Sequence, residues 1–169
     1  MRRTRYRPIG LSGEETVAKA KEQALRLLRY RARSERELLQ RLQAKGFSEA
    51  TAKSVVARLK KVGLVDDAAL AEAVVQSALS DTRPHSRWEV RFKLRRLGIP
   101  DDLIDPALTD WTDEVERQMA ERYLRRRLPP SPTAKDFERA FRAAVQRGFE
   151  LTALRDALRT LTGDPDALP

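Results

Sequence analysis

The 169-residue chain carries 34 basic and 25 acidic side chains, a formal net charge of +9. It has no cysteine, which excludes disulfides, thiol catalysis and cysteine-based zinc sites. No apolar run approaches the length of a membrane span or a signal-peptide core, so we expect a cytoplasmic protein without a membrane partner. The positive net charge favours an anionic partner, either nucleic acid or an acidic protein surface. The alternative is that the basic side chains are simply solvated and bind no particular ligand.

One stretch predicts a complete helix with both of its ends. Ser34 stands three residues before Glu37, the spacing of a capping box in which each side chain bonds a free backbone N–H. Leu38 and Leu42 are four residues apart and fall on one helix face. Gly46 can then end the helix in the left-handed conformation.

The same pattern occurs three times along the chain. Gly98 lies 52 residues after Gly46, and Gly148 lies 50 residues after Gly98. A residue suited to cap a helix precedes each glycine by twelve positions: Ser34, Ser86 and Asp136. Apolar residues recur at matching offsets: Leu42, Leu94 and Ala144 before the glycines, and Phe47, Ile99 and Phe149 after them. The chain is therefore predicted to be all-α, an elongated, curved array of three tandem three-helix repeats.

The register also divides the chain. The three repeats are predicted over residues 14–63, 64–112 and 113–163. Residues 1–13, with four arginines, are expected to form a basic, flexible N-terminal arm, and residues 164–169 a C-terminal tail.

Basic residues concentrate in particular segments. Residues 34–63 carry a net charge of +4, residues 83–98 of +5 and residues 117–128 of +4, whereas residues 66–82 and 101–116 hold no basic side chain. Arginine suits phosphate and carboxylate alike through its planar fork of donors. The candidate partner-binding residues are Arg31, Arg33, Arg36, Arg41, Lys45, Arg87, Arg91, Lys93, Arg95, Arg96, Arg122, Arg125, Arg126 and Arg127.

Motifs for catalysis or cofactor binding are missing from the sequence. There is no glycine-rich phosphate loop, and His85, the only histidine, suggests no catalytic triad or metal site. The pairs Asp66–Asp67 and Asp101–Asp102 stand where helices begin, where carboxylates cap N–H groups. We therefore expect a protein that is not an enzyme and that has no cofactor or bound metal.

Four segments carry a family pattern: residues 31–47, residues 63–71, residues 94–99 and residues 147–149. In this order and spacing they resemble the RecX family, regulators of the bacterial recombinase RecA, over residues 16–162. Leu70, where the family usually has an aromatic residue, and the proline-rich segment 129–132 depart from the pattern.

The resemblance implies a fold of tandem three-helix repeats, which agrees with the register. It also implies a regulator that binds RecA, lies in the helical groove of the RecA filament on DNA, and inhibits recombinase, ATPase and coprotease activities. We expect such a protein to act as a monomer, with the RecA filament as its partner.

Two other functions fit the sequence. Helix pairs joined by a glycine turn suggest a DNA-binding module of helix-turn-helix type, which would act on DNA or transcription without RecA. Its reading helix in the first repeat would carry Lys53, Arg58, Lys60 and Lys61. In the second repeat the corresponding start carries Asp101, Asp102 and Asp105, which would repel DNA. Weak, non-specific, salt-dependent DNA binding is expected in either case. A helical scaffold for another acidic protein is the third reading.

Overall fold

The computed structural model describes residues 13–163, and the regular secondary structure of these residues is entirely α-helical. The nine helices of this part, α1 to α9, are Gly13–Tyr30, Glu35–Ala44, Glu49–Lys61, Asp67–Ser80, Arg87–Leu97, Asp101–Ala107, Asp113–Arg125, Ala134–Gln146 and Leu151–Thr162. The all-α prediction is confirmed. Apart from Gly13, the predicted arm and tail lie outside the described residues. No described helix is long and apolar enough to cross a membrane.

Two compact units make up the described chain. The first unit contains residues 13–70 together with Arg96–Pro100, and the second contains Ala71–Arg95 together with residues 101–163. Helix α1 begins at Gly13, one residue before the first predicted repeat; α2 and α3, α4 to α6 and α7 to α9 fall within the first, second and third predicted repeats. The exact repeat boundaries and the curved outline of the array stay predictions.

The first unit is built on the face predicted for α2. Leu38 and Leu42 are fully buried, and α1, α2 and α3 pack on one another around them. The glycines that end α2 and α3 have the left-handed conformation, with φ of 91° at Gly46 and 71° at Gly63. Apolar burial of this kind stabilises the unit. Its core residues are Ala20, Ala24, Leu38, Leu42, Ala52, Val55, Val56, Leu59 and Val65.

The second unit repeats the same inward positions. Leu94 and Ala144, which match Leu42, are fully buried, and the positions after the glycines are buried at Ile99 of the first unit and Phe149 of the second. Gly98 and Gly148 have φ of 83° and 80°. Phe47, the third residue of this set, is partly buried against the core of the first unit. The predicted register is therefore confirmed, with Phe47 less buried than its two counterparts.

The predicted cap of α8 is wrong. Asp136 was expected to begin this helix, but the N-cap is Thr133, whose hydroxyl accepts from the N–H of Asp136. The Asp136 carboxylate accepts in return from the N–H of Thr133, 3.0 Å away. These reciprocal bonds form a capping box, and Asp136 is the third residue of helix α8.

Ser34, the N-cap of α2, makes a bond that the sequence did not predict. Its hydroxyl accepts from the N–H of Glu37 at 3.1 Å and also donates to the backbone carbonyl of Leu97, the last residue of α5. Gly98 follows, and a Cβ added there would lie 2.8 Å from the Arg36 side chain. The predicted return bond, from the Ser34 N–H to the Glu37 carboxylate, is not formed: Oε1 of Glu37 pairs with arginines, and Oε2 is buried without a hydrogen-bond partner among the described residues.

The second unit contains the same arrangement one repeat later. The Ser86 hydroxyl accepts from the N–H of Glu89 at 3.1 Å and donates to the carbonyl of Arg147 at 2.7 Å. Here the capping box is complete, because the N–H of Ser86 donates to the Glu89 carboxylate. Gly148 follows Arg147, and a Cβ there would come within 2.9 Å of Trp88. In both units, a serine cap therefore bonds the end of a later helix. We call this arrangement the serine joint.

A buried carboxylate completes each joint. Asp67 accepts from the N–H of Glu35 at 2.9 Å, and Glu116 accepts from the N–H of Arg87 at 2.8 Å. Glu116 also accepts from the Trp111 indole N–H at 2.7 Å. Burial raises the pKa of both carboxyls, although these hydrogen bonds act in the opposite direction. The prediction that Asp67 caps the helix it begins, α4, is therefore wrong, because its carboxylate accepts from the first N–H of α2; Asp66 accepts from the N–H of Ala69 in α4, as predicted.

Replacing Ser34 with alanine should cost more stability than replacing Ser48, the exposed N-cap of α3. Both hydroxyls accept a 3.1 Å bond from the third helical N–H, but only Ser34 is buried and donates to a second helix end. We expect Ser48→Ala to lower the free energy of unfolding by about 1 kcal/mol and Ser34→Ala by about 2–3 kcal/mol, measured by urea unfolding. Equal losses would show that the bond to Leu97 contributes nothing.

Glu116→Gln should make stability depend differently on pH. Because the folded-state pKa of Glu116 is raised, the folded protein binds this proton more tightly than the unfolded chain. The stability contributed by this group is therefore full below the unfolded pKa and decreases as pH rises through the folded pKa. We expect the stability advantage of the native chain over Glu116→Gln to be larger at about pH 4 than at about pH 7 in urea unfolding. A pH-independent difference would contradict this.

Candidate interaction surface

Positive charge is distributed unequally between the two units. The described part of the first unit has fourteen basic and eight acidic side chains, a net charge of +6, whereas the second has sixteen and fifteen, a net charge of +1. Among the described residues, ion pairs involve five of the fourteen basic groups in the first unit: Arg31, Arg33, Arg41, Lys53 and Lys60. The excess positive charge that could attract a partner therefore lies mainly in the first unit.

Three predicted partner-binding residues of the first unit share one carboxylate. Glu37 pairs with Arg31 at 2.7 Å, with Arg41 at 3.3 Å and with Arg33. Burial opposes ionisation of Glu37, but its hydrogen bonds and charge interactions with Arg31 and Arg33 outweigh burial and lower its pKa. Arg33 is itself buried and donates to the carbonyl of Leu27. Its contacts indicate a structural role.

The other predicted cations of the first unit are available. Arg36, Lys45 and Arg96 are exposed and form no ion pair with any residue in the range 13–163. The carbons of the Arg36 side chain lie beneath Gly98, which leaves its guanidinium as the part free to reach a partner.

An apolar groove lies between α1 and α3 of the first unit. Its volume is about 280 Å³, and its lining is Val17, Lys21, Leu25, Val55, Arg58, Leu59, Val62 and Leu64. Val62 is 67% exposed and Leu64 is 52% exposed. Lys21 and Arg58 are exposed cations of this groove, and neither forms an ion pair with a described residue. Apolar surface with a basic rim is suited to binding an acidic protein.

The three arginines of α5 that recur every fourth residue are all paired with acids. Arg91 binds Asp105, and Arg95 binds Asp101 at 2.9 Å. Arg87 pairs with Asp113 and Glu150 and donates to the carbonyl of Trp111 at 2.6 Å. Although burial opposes it, the pairing raises the pKa of Arg87.

These contacts make Arg87 a structural residue and partly neutralise Arg91 and Arg95. Lys93 is exposed on the same helix and forms no ion pair with a described residue. Among the predicted partner-binding residues of α5 that belong to the second unit, Lys93 is therefore the one whose charge no described acid compensates.

The predicted arginines at the end of α7 have different environments. Arg122 and Arg126 donate to the carbonyl of Thr82, at 2.8 and 2.9 Å, and Arg125 pairs with Glu121. The Arg127 guanidinium lies 4.8 Å from the centroid of the Tyr123 ring. Arg126 and Arg127 therefore keep an uncompensated charge in fixed positions.

Other exposed groups were missed as candidates. Arg83 and Arg147 line a cavity with Arg126 and Arg127, and Phe92 presents an exposed ring. Arg83 opens the basic segment 83–98 and Arg147 opens the family segment 147–149, but each is separated from the next arginine by at least three residues, so neither was predicted as a candidate. Within residues 13–163, no group of three or more acidic, histidine or cysteine side chains could hold a metal ion.

Family comparison matches a part of the first unit. The model described as "RecX, first three-helix domain" matches residues 20–59, which span most of α1, α2 and α3. The chain is 34% identical to the regulatory protein RecX of Chlorobaculum tepidum, over 91% of this chain and 95% of that protein. It is 40% identical to the regulatory protein RecX of Amycolatopsis mediterranei, over 72% of this chain and 69% of that protein.

Solved structures agree with the fold. The crystal structure of RecX from Lactobacillus salivarius superposes with a TM-score of 0.81 at 18% identity, covering 89% of this chain and 99% of that one. A second crystal structure, of a regulatory protein RecX, has a TM-score of 0.75 at 26% identity, covering 83% of this chain and 71% of that one. With the repeated helices and the sequence identity, these matches show that the chain belongs to the RecX family of regulatory proteins.

Proposed function

We propose that this chain binds RecA and the filament that RecA forms on DNA, and that it inhibits the recombinase, ATPase and coprotease activities of that filament. Membership of a family of regulatory proteins supports a regulatory role, and the resemblance of the sequence to RecA regulators names the partner. The bound protein would lie in the helical groove of the filament.

The first unit is the part that we propose contacts RecA. The observation that carries this proposal is its apolar groove, in which Val62 and Leu64 are exposed beside Lys21 and Arg58. The unit also carries the net charge of +6. An acidic RecA surface with apolar residues would bury the exposed side chains and neutralise the rim. Arg36, Lys45 and Arg96 would add contacts at its border.

Inhibition would follow from occupancy of the filament groove. A helical protein in that groove would block entry of the homologous duplex, so strand exchange would stop. It would also hinder the changes between neighbouring subunits that accompany ATP turnover. The same obstruction would keep coprotease substrates away. No catalytic group of the inhibitor is needed for any of these effects.

Titration of RecA on single-stranded DNA tests the proposal. We expect the native chain to lower the DNA-dependent ATPase rate at equimolar or smaller amounts. Lys21→Glu with Arg58→Glu should raise the concentration for half-inhibition about tenfold, equivalent to about 1.4 kcal/mol, because it reverses the charge of the groove rim. The matched control, Lys135→Glu with Arg155→Glu, makes the same charge change at exposed positions of the second unit.

The control variant should inhibit like the native chain, and helical circular dichroism should show that both variants fold. If the native chain binds DNA but leaves the RecA ATPase unchanged, the RecA proposal is wrong and the DNA-binding alternative gains support. If the groove variant inhibits fully, the groove is not the contact surface.

A further inference from the structure

A second cavity, in the second unit, is lined mainly by arginines. Its volume is about 240 Å³, and its lining consists of Arg83, Pro84, Tyr123, Arg126, Arg127 and Arg147. These residues come from the segment before α5, from the end of α7 and from the C-cap of α8. Separate parts of the chain thus bring four guanidinium groups to one cavity.

Three of the four guanidinium groups, those of Arg126, Arg127 and Arg147, are held in place by contacts within the unit. The Tyr123 ring lies 4.8 Å from the Arg127 guanidinium carbon and 5.9 Å from that of Arg147. The Tyr123 hydroxyl donates to the carbonyl of Ala143, which anchors the ring. Arg126 donates to the carbonyl of Thr82 at 2.9 Å. Positioned guanidiniums lose less conformational entropy when they bind an anion than flexible ones do.

The charge of this cavity is only partly compensated. Within residues 13–163, Arg83, Arg126 and Arg127 form no ion pair, whereas Arg147 pairs with Glu89 at 2.6 Å. The Nε atom of Arg147 is buried and has no hydrogen-bond partner in the described chain. The hydrogen-bonding capacity of the Arg147 guanidinium is therefore not fully used within the unit.

One further acid lies near the cavity. Asp81 accepts a hydrogen bond from the backbone N–H of Arg83, and its other oxygen is 2.9 Å from Nε2 of His85. The bond with His85 is the main reason that the pKa of Asp81 is lowered to about 2. Asp81 and Glu89 together offset two of the four positive charges, which leaves an excess for an anionic ligand.

An exposed aromatic pair adjoins the arginine cavity. Trp88 is 54% exposed and Phe92 is 47% exposed, and their rings are parallel, with centroids 5.2 Å apart and an angle of 7°. Trp88 lies against Gly148, the residue that follows Arg147. We call these two rings the aromatic platform. Their exposure leaves aromatic surface open to a ligand, and the contact with Gly148 places Trp88 against the residue next in the chain to the cavity residue Arg147.

We propose that the second unit binds single-stranded nucleic acid, with a backbone phosphate in the arginine cavity and a base on the aromatic platform. The planar forks of arginine match phosphate oxygens. Tyr123 is nearly buried, so the cavity offers no aromatic face to a base, whereas the platform outside it does. Bases in a duplex are already stacked on each other and cannot use such a platform, which favours a single strand.

Binding of a fluorescently labelled oligothymidylate, measured by anisotropy at one fixed salt concentration, tests this site. Arg83→Ala with Arg127→Ala should weaken binding about tenfold or more, because it removes two phosphate contacts. The matched control, Lys135→Ala with Arg155→Ala, removes two exposed positive charges of the same unit and should change binding less than about twofold. Arg83→Ala alone should weaken binding by an intermediate factor. The Arg83 side chain forms no hydrogen bond or ion pair with a described residue, so this single variant serves as the test if the double variant fails to fold.

Tryptophan fluorescence tests the platform. Trp111 is buried and Trp88 is exposed, so a stacked base should quench Trp88 and leave Trp111 unaffected. Trp88→Leu should abolish the quenching and weaken the oligothymidylate binding that is measured by anisotropy.

Three results would overturn the proposal. Equal weakening by the cavity variant and the control would mean non-specific attraction. Tighter binding of a duplex of the same length would exclude stacking on the platform. Binding of inorganic phosphate or thymidine monophosphate as tightly as the oligonucleotide would indicate a small phosphate ligand. Because no RecA is present in these measurements, their failure would leave the proposal about RecA unaffected.

Discussion

The serine joint is the interaction on which the rest of the structure depends. A serine that caps one helix donates its own hydrogen to the last backbone carbonyl of another, so a single buried hydroxyl satisfies two helix ends. The left-handed glycine that follows that carbonyl leaves room for a side chain of the capped helix, Arg36 in the first unit and Trp88 in the second. A nearby carboxylate, Asp67 or Glu116, accepts the next N–H. Few buried polar groups thus fix the relation of one helix to another, while the apolar residues supply most of the stabilising burial.

The joint also explains why many arginines are not free for a partner. The ends of α5 are occupied by the joints, and Arg87 follows Ser86 directly, so its side chain is drawn into contact with Trp111 and two acids. Glu37, which does not form its predicted capping bond, instead forms ion pairs with Arg31, Arg33 and Arg41. The cations left over are those without a structural acid nearby. Some of them line the apolar groove of the first unit or the arginine cavity of the second, whereas Arg36, Lys45, Lys93 and Arg96 lie outside both.

Much of the fold could be predicted because its signals are local. Capping serines, inward residues such as Leu42 and Leu94, and terminating glycines all act within one helix, and the structure confirms them. Thr133 was missed because the expected spacing from Gly148 pointed to Asp136, whereas the capping box places the start three residues earlier. The bond from Ser34 to Leu97 joins residues 63 positions apart, which periodicity cannot reveal. The site was predictable in composition only, because which arginine meets which acid depends on packing.

The distribution of tryptophan has a practical consequence for how folding can be followed. Both tryptophans, Trp88 and Trp111, belong to the second unit, and the first unit has neither. Intrinsic indole emission therefore reports on one unit, whereas far-ultraviolet circular dichroism averages over every helix. If the two signals change at the same denaturant concentration, the chain unfolds as one cooperative block; separated midpoints would mean that the units melt independently.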